Sequence, residues 1–386
     1  MKKVGIMSMQ RIANYGSFLQ AYALKQLIEE LGHKVEFVDY HVGAPVITEN
    51  ADSKNKVVRK IEKGLETFRY RAPLAHKLSF IRYKQSFAQK YMPLLGITDE
   101  MNYNPTVDCL VIGSDEVFNC IQKNSNVGYS PELFGKNNHA KKLITYAASF
   151  GNTTLEKYQK AGEVGSLLKE FDAISVRDAN SGSIVEQLTG EKTVYNLDPV
   201  LTYDYMNCCD RIPQIEATEK YLILYAYAGR ISNEEADWIA EYAKKKNLKV
   251  YAIGGIQKCA DRFVDCSPFE VLGYFRNSEE VITDTFHGSI FSVITHRPFT
   301  TLIRKSVGNS YGNEEKLSDL LNRLGLTERM TTKIEDTENI NEKAIDYAKV
   351  DEQLKAHREV AKEYLRKNLE ELNGEHIEDK REMCGM

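Results

Sequence analysis

Short apolar runs of strand length alternate with helical patterns twice along this chain, and no other feature constrains its fold as strongly. In the first series, residues 3–8 hold a short apolar run that ends in small and polar residues. From Ser17 onward, Phe18, Ala21, Leu24, Leu27, Ile28 and Leu31 recur at helical spacing, until Gly32-His33 closes the helix. Residues 34–40 alternate like a strand. Apolar runs follow at 107–112, 143–147, 173–176 and 194–197, with helical patterns over 155–168 and 181–188. After Asp210-Arg211-Ile212-Pro213 the series restarts. Strands are expected at 221–227, 248–253, 281–283 and 299–303, and helices at 233–246, 269–275 and 288–294. This alternation predicts an α/β fold of two Rossmann-like domains with mostly parallel sheets, their strands' carboxyl ends facing a shared cleft. The expected boundaries are 1–208 and 209–340, followed by charged helices over 341–372 and a frayed end over 373–386.

A length of 386 residues suits two such domains. With 51 Lys+Arg against 55 Asp+Glu, the chain is no globally basic nucleic-acid binder. No apolar run approaches the roughly 20 residues of a membrane span, and the N-terminus enters a strand directly, so a cytoplasmic protein is expected. The seven cysteines include no Cys-x-x-Cys pair, and no metal is expected. Between Lys54 and Lys90, eleven Lys/Arg with interleaved aromatics face only Glu62 and Glu66. This insertion, taken as residues 50–95, reads either as a solvated helical element packed on the first domain or as a surface for an anionic substrate or the inner membrane face.

Four segments at expected strand ends carry the candidate chemistry. Asn14, Tyr15 and Gly16 open the first helix, where free backbone N–H groups suit an anion or a sugar hydroxyl. Gly113, Ser114 and Asp115 follow a buried strand, and Asp115 is placed to take a proton from a hydroxyl or to cap the next turn. Arg177 is suited to clamp a carboxylate or phosphate, or else pairs with a neighbouring acid. Thr285, Phe286, His287, Gly288 and Ser289 open a helix whose positive end favours an anion, with His287 adding a proton or a hydrogen bond. Asp198 and Asp284 read as structural caps.

Taken in order, Asn14-Tyr15-Gly16-Ser17-Phe18-Leu19-Gln20-Ala21-Tyr22-Ala23-Leu24, Gly113-Ser114-Asp115-Glu116-Val117-Phe118-Asn119, Ser175-Val176-Arg177-Asp178, Leu197-Asp198-Pro199 and Thr283-Asp284-Thr285-Phe286-His287-Gly288-Ser289 resemble the polysaccharide pyruvyl transferase family. The resemblance implies a GT-B-like pair of domains. It also implies transfer of a pyruvyl group from phosphoenolpyruvate to two hydroxyls of a sugar or a lipid-linked oligosaccharide, with no cofactor. It assigns His287 and Arg177 to donor-binding or catalytic positions. Some members carry an arginine where this chain has Thr285, so the donor's charge would be met by Arg304, Lys305, Arg230 or Arg11. Two other readings remain open: a nucleotide-sugar glycosyltransferase on the same architecture, and a non-catalytic sugar-binding protein of envelope biosynthesis.

Overall fold

Val4, Ile6 and Met7 are buried, and this apolar run forms β1 (Lys3–Met7), which lies between two parallel neighbours. The computed structural model describes residues 1–44, 66–121, 127–159, 164–305 and 312–370. From β1 the chain passes through helix α1 (Tyr15–Glu30) to β2 (Lys34–Phe37). It then crosses to the other side of β1 and builds outward through β3 (Cys109–Asp115), β4 (Lys142–Ala148), β5 (Ser175–Val176) and β6 (Val194–Tyr195). The second half runs β7 (Tyr221–Tyr225), β8 (Lys249–Ile253), β9 (Arg262–Phe263). It then returns to the other side of β7 with β10 (Glu280–Thr283), β11 (Phe299–Leu302) and β12 (Met330–Thr331). Both sheets have six strands, and every named pairing is parallel. Each half therefore reverses its strand order once, between β1 and β3 and between β7 and β10. Such reversals open a crevice at the strands' carboxyl ends.

The halves are joined by aromatic packing. Phe18 and Tyr22 of α1 meet Phe269 with ring centroids 5.8 and 5.0 Å apart. The described part of the basic stretch forms helix α2 (Leu74–Tyr91), whose Phe80, Tyr83 and Phe87 are buried. Phe80 and Tyr83 lie 5.6 and 6.2 Å from Phe263. The insertion thus packs on both halves, not on the first alone. Lys54, Lys56, Arg59, Lys60 and Lys63 lie outside the described residues, as does the expected frayed end.

Several element ends differ from the expected bounds. The first helix begins at Tyr15, because the Asn14 side chain accepts from the Gly16 and Ser17 N–H groups. Within the pattern at 155–168, the described residues are helical over Leu155–Gln159 and Val164–Leu168. The strand expected at 221–227 stops at Tyr225, which frees Tyr227 to face the cleft. Three further helices matter below: α3 (Phe286–Ile294), α4 (Glu314–Arg323) and α5 (Tyr347–Glu370). The last returns to the first half, where Arg358 Nε donates to the Leu201 carbonyl and Tyr364 Oη to that of Thr145. Among the described residues, no helix is long and apolar enough to cross a membrane.

Candidate active site

A pocket of about 410 Å³ lies where the two strand-order reversals face each other. β10 is buried throughout and ends at Thr283. Thr285 is extended there, with φ −118°, and its Oγ1 accepts from the Gly288 N–H at 2.9 Å, capping α3. That turn carries His287 across to α1. A Cβ at Gly16 would overlap Cγ and Nδ1 of the His287 ring and stand 2.9 Å from its Cβ. The glycine is thus required by a histidine of the opposite half. His287 Nε2 lies 3.6 Å from Asp198 Oδ2, just beyond hydrogen-bond reach. Nδ1 has no hydrogen-bond partner among the described residues.

Asp198 is fully buried, and it also accepts from Arg177 Nη1 at 3.1 Å and the Val200 N–H at 3.0 Å. Burial acts to raise its pKa, but the His287 contact, the Arg177 charge and the Val200 N–H together hold it below the ordinary value. Arg177 donates to Asp115 Oδ1 at 3.2 Å, and its guanidinium sits 4.6 Å from the centre of the Phe286 ring. Burial works against its charge, yet Asp115, Asp198, Glu116 and Asp178 raise its pKa. Asp115 also accepts from Ser17 Oγ at 3.1 Å. A continuous network therefore runs from Asp115 through Arg177 and Asp198 to His287. Arg177, expected to clamp an anion or else to pair with an acid, stands against two carboxylates, Asp115 and Asp198, while its Nε has no hydrogen-bond partner among the described residues.

Cations reach the same pocket from other elements. Lys84 of α2 donates to the Ala13 carbonyl at 3.0 Å. Arg230, in the loop after β7, lies 4.7 Å above the Tyr227 ring and 3.8 Å from Asp284. Lys316 of α4 stands 3.2 Å from Glu116 of the first half. The Asn14 amide donates to Tyr227 Oη at 2.8 Å, tying the two switch-point loops together. Asp284 lines the pocket although its side chain is fully buried. Burial pushes its pKa up to about 6 against the opposing charges of Arg230 and Arg304.

Asn14, Asp115, Arg177, Thr285, Phe286 and His287 meet at this pocket. Other expected site residues serve the framework. Tyr15 is buried, with its hydroxyl donating to the Cys266 carbonyl at 3.0 Å. A Cβ at Gly113 would overlap the Tyr146 carbonyl oxygen, and Ser114 Oγ donates to the Ala147 carbonyl, both within the sheet. A Cβ at Gly288 would overlap Thr283 Oγ1, and Ser289 Oγ sits 2.9 Å from Thr301 Oγ1. Arg304 is held by Glu235 at 2.6 and 3.0 Å, and Arg11 by Asp39 at 2.6 Å on each of two nitrogens. Of the four cations named for the donor, Arg230 lines the pocket; Arg304, Arg11 and the exposed Lys305 do not.

Sequence reasoning passed over Lys316, Glu116 and Tyr227, and left Lys84 in a basic stretch read either as a solvated element or as a surface for an anionic substrate or the membrane face. It also read Asp198 and Asp284 as caps. Asp198 does cap, yet it follows a strand end as Arg177 does, and that shared position was the available signal.

The polysaccharide pyruvyl transferase family model matches residues 14–306. No curated sequence gives a significant match. Among solved structures, S. aureus MnaA, solved with UDP, is similar at TM-score 0.50 and 10% identity, with 98% of this chain and 99% of that chain covered. A UDP-N-acetylglucosamine 2-epimerase from Rickettsia bellii gives 0.48 at 12% identity, covering 97% of each chain. An O-GlcNAc transferase mutant from Thermobaculum terrenum gives 0.42 at 14%, over 96% of this chain and 66% of that one. At these identities the likeness concerns the fold alone, a GT-B-like pair of parallel α/β sheets.

Proposed function

The chain belongs to the polysaccharide pyruvyl transferase family, and we propose that it moves a pyruvyl group from phosphoenolpyruvate onto two hydroxyls of a sugar, closing a cyclic ketal and releasing phosphate. The observation that carries this reading is the convergence, in one inter-domain pocket, of Lys84, Arg230 and Lys316 with a histidine that stands beside a buried aspartate. Phosphoenolpyruvate bears a carboxylate and a phosphate, so its pocket needs fixed positive charge. Without an arginine at position 285, these three side chains supply it.

The chemistry then divides among the chain's own groups. One hydroxyl adds to carbon 2 while carbon 3 gains a proton and becomes a methyl group. The second hydroxyl displaces phosphate from carbon 2, its proton leaving with the phosphate. His287, its Nε2 turned to Asp198 and its Nδ1 without a protein partner, is the acid for carbon 3. Asp115, fixed by Arg177 and Ser17, is the base for the first hydroxyl. Arg177 and Asp198 are positioning residues. No step in this reading calls on a cofactor.

We place the acceptor on a cell-surface polysaccharide or its lipid-linked precursor. Leu74 and Leu78 of α2 are 63% and 52% exposed, with exposed Arg71 and Arg82 nearby in sequence. An apolar and basic helix face of this kind supports contact with the anionic inner face of a membrane, and with it a cytoplasmic location.

Incubation with phosphoenolpyruvate and a panel of sugar acceptors should release phosphate only when the acceptor presents a suitable pair of hydroxyls. Phosphoenolpyruvate should also raise the melting temperature, and nucleotide sugars should not. Stabilisation by a nucleotide sugar without any phosphate release would return the glycosyltransferase reading.

A further inference from the structure

The carboxyl group of Asp284 plays no part in the chemistry above, and its surroundings are unusual. It stands where the chain leaves β10, with its own carbonyl held by Asn313 Nδ2. The side chain is 0% exposed and lines the pocket, yet neither oxygen has a hydrogen-bond partner among the described residues. Charged groups face it from four elements: Arg230 after β7, Arg304 after β11, Glu235 at the start of the helix Asn233–Lys245, and Lys316 of α4. Arg304 is committed to Glu235, and Lys316 stands beside Glu116. Arg230, at 3.8 Å, is the charge in ionic contact with Asp284. His287 follows three residues later, turned toward Asp198.

A buried carboxylate with no hydrogen bonds is costly unless it is neutralised or paired. An oxyanion drawn to Arg230 and Lys316 would share the counter-charge that holds Asp284 ionised. Two anions side by side in a buried site do not both stay charged, and the carboxyl is the one that takes the proton. Once protonated it stops repelling the ligand and becomes an O–H donor.

We propose that Asp284 takes up one proton from solvent when a phosphate-class oxyanion enters the pocket and donates it as a hydrogen bond to that anion, so that binding of the donor is proton-coupled. For phosphoenolpyruvate in particular, the inference rests on the reading given under Proposed function. Burial has already moved the free group up to about 6, and the bound anion has to carry it past the working pH for the proton to stay on the carboxyl there.

Calorimetry on the full chain in buffers of different ionisation enthalpy reads the proton directly. Sulfate is a suitable probe, since it matches the phosphate shape and does not titrate near neutral pH. At pH 7.5 close to one proton should be taken up per sulfate bound, and apparent affinity should fall about tenfold per pH unit above the carboxyl's own pKa. Asp284→Asn keeps the shape and a donor but has no proton to gain, so it should bind sulfate with no uptake and a flat pH profile. His287→Asn should retain the uptake. Phosphoenolpyruvate titrates on its own phosphate, but equally with both proteins, so the difference between wild type and Asp284→Asn isolates the residue.

Equal uptake by wild type and Asp284→Asn, or its loss in His287→Asn, overturns the proposal. If Asp284→Asn does not fold, uptake of a solvent proton on sulfate binding by His287→Asn supports the assignment and its absence overturns it. Proton-coupled sulfate binding with no phosphoenolpyruvate binding leaves Asp284 assigned and removes the donor reading. Failure of both anions to bind overturns both.

Discussion

His287 of the second half rests directly on Gly16 of the first, in space that the Cβ of any other residue at position 16 would fill. The family's Asn-Tyr-Gly-Ser segment and its Phe-His-Gly-Ser segment, 271 residues apart at these two positions, are therefore one contact. Closing the two halves brings a helix start from each sheet to the same place, and the glycine leaves room for the imidazole between them.

Gly16→Ala tests that contact. The added methyl would displace the ring of His287 from its 3.6 Å approach to Asp198. Alanine favours a helix over glycine by about 1 kcal/mol, which offsets part of the crowding. The expected outcome is a fall in kcat of at least about tenfold, since small misplacements of a catalytic group are costly, with a melting temperature within a few degrees of wild type. Unchanged turnover would separate His287 from the chemistry.

His287→Asn tests the proton itself. The variant keeps a hydrogen-bonding group of similar size but cannot exchange a proton near neutral pH. If His287 is the acid for carbon 3, kcat should drop about 10²–10⁴-fold with the KM for phosphoenolpyruvate little changed. A risen KM with near-normal kcat, from steady-state phosphate release, would recast it as a phosphate ligand.

The two sheets and the four loops were legible because strand and helix periodicities are local, and because ligand contacts in open α/β sheets gather at the strands' carboxyl ends. What periodicity does not carry is the partner of each side chain. Arg304 and Arg177 look alike in sequence, each at a strand end, yet Glu235 absorbs the first and two aspartates absorb the second. Asp198 looked like a simple cap because capping is local, whereas its contacts to Arg177 and His287 depend on the closure of the halves. Lys84 was hidden for the same reason. Its helix reads as a basic surface, and packing of Phe80 and Tyr83 against Phe263 turns one lysine into the cleft.

Asp284→Asn should change the pH dependence of stability. The folded pKa, up to about 6, lies above the ordinary value of 3.8. Between those values the native state holds more protons than the unfolded state, so stability falls as pH rises through this window. A shift of this size corresponds to about 3 kcal/mol, fully lost above the folded pKa. Asparagine has no such dependence. The variant should therefore melt higher than wild type at pH 8, with the advantage shrinking toward pH 4. Parallel melting curves for the two proteins across pH 4 to 8 would contradict the burial-driven shift.

Charge reversal on α2 should divide that helix into two functions. Lys77 and Arg82 are not among the residues that line the pocket, whereas Lys84 belongs to it and donates to the Ala13 carbonyl. Reversing all three together would mix acceptor and donor effects, so they must be tested apart. Lys77→Glu with Arg82→Glu should leave phosphoenolpyruvate binding intact and weaken flotation with anionic liposomes, each basic residue near such a surface contributing on the order of 1 kcal/mol. Lys84→Glu alone should raise the KM for phosphoenolpyruvate at least about tenfold, because it places a negative charge opposite an anionic donor. Lys84→Met preserves the apolar stem and removes only the charge, so its defect should be smaller, and the wild-type enzyme should approach it as salt screens the lysine. If Lys84→Glu binds the donor normally while the surface pair does not, the anion sits outside the pocket and α2 is its platform.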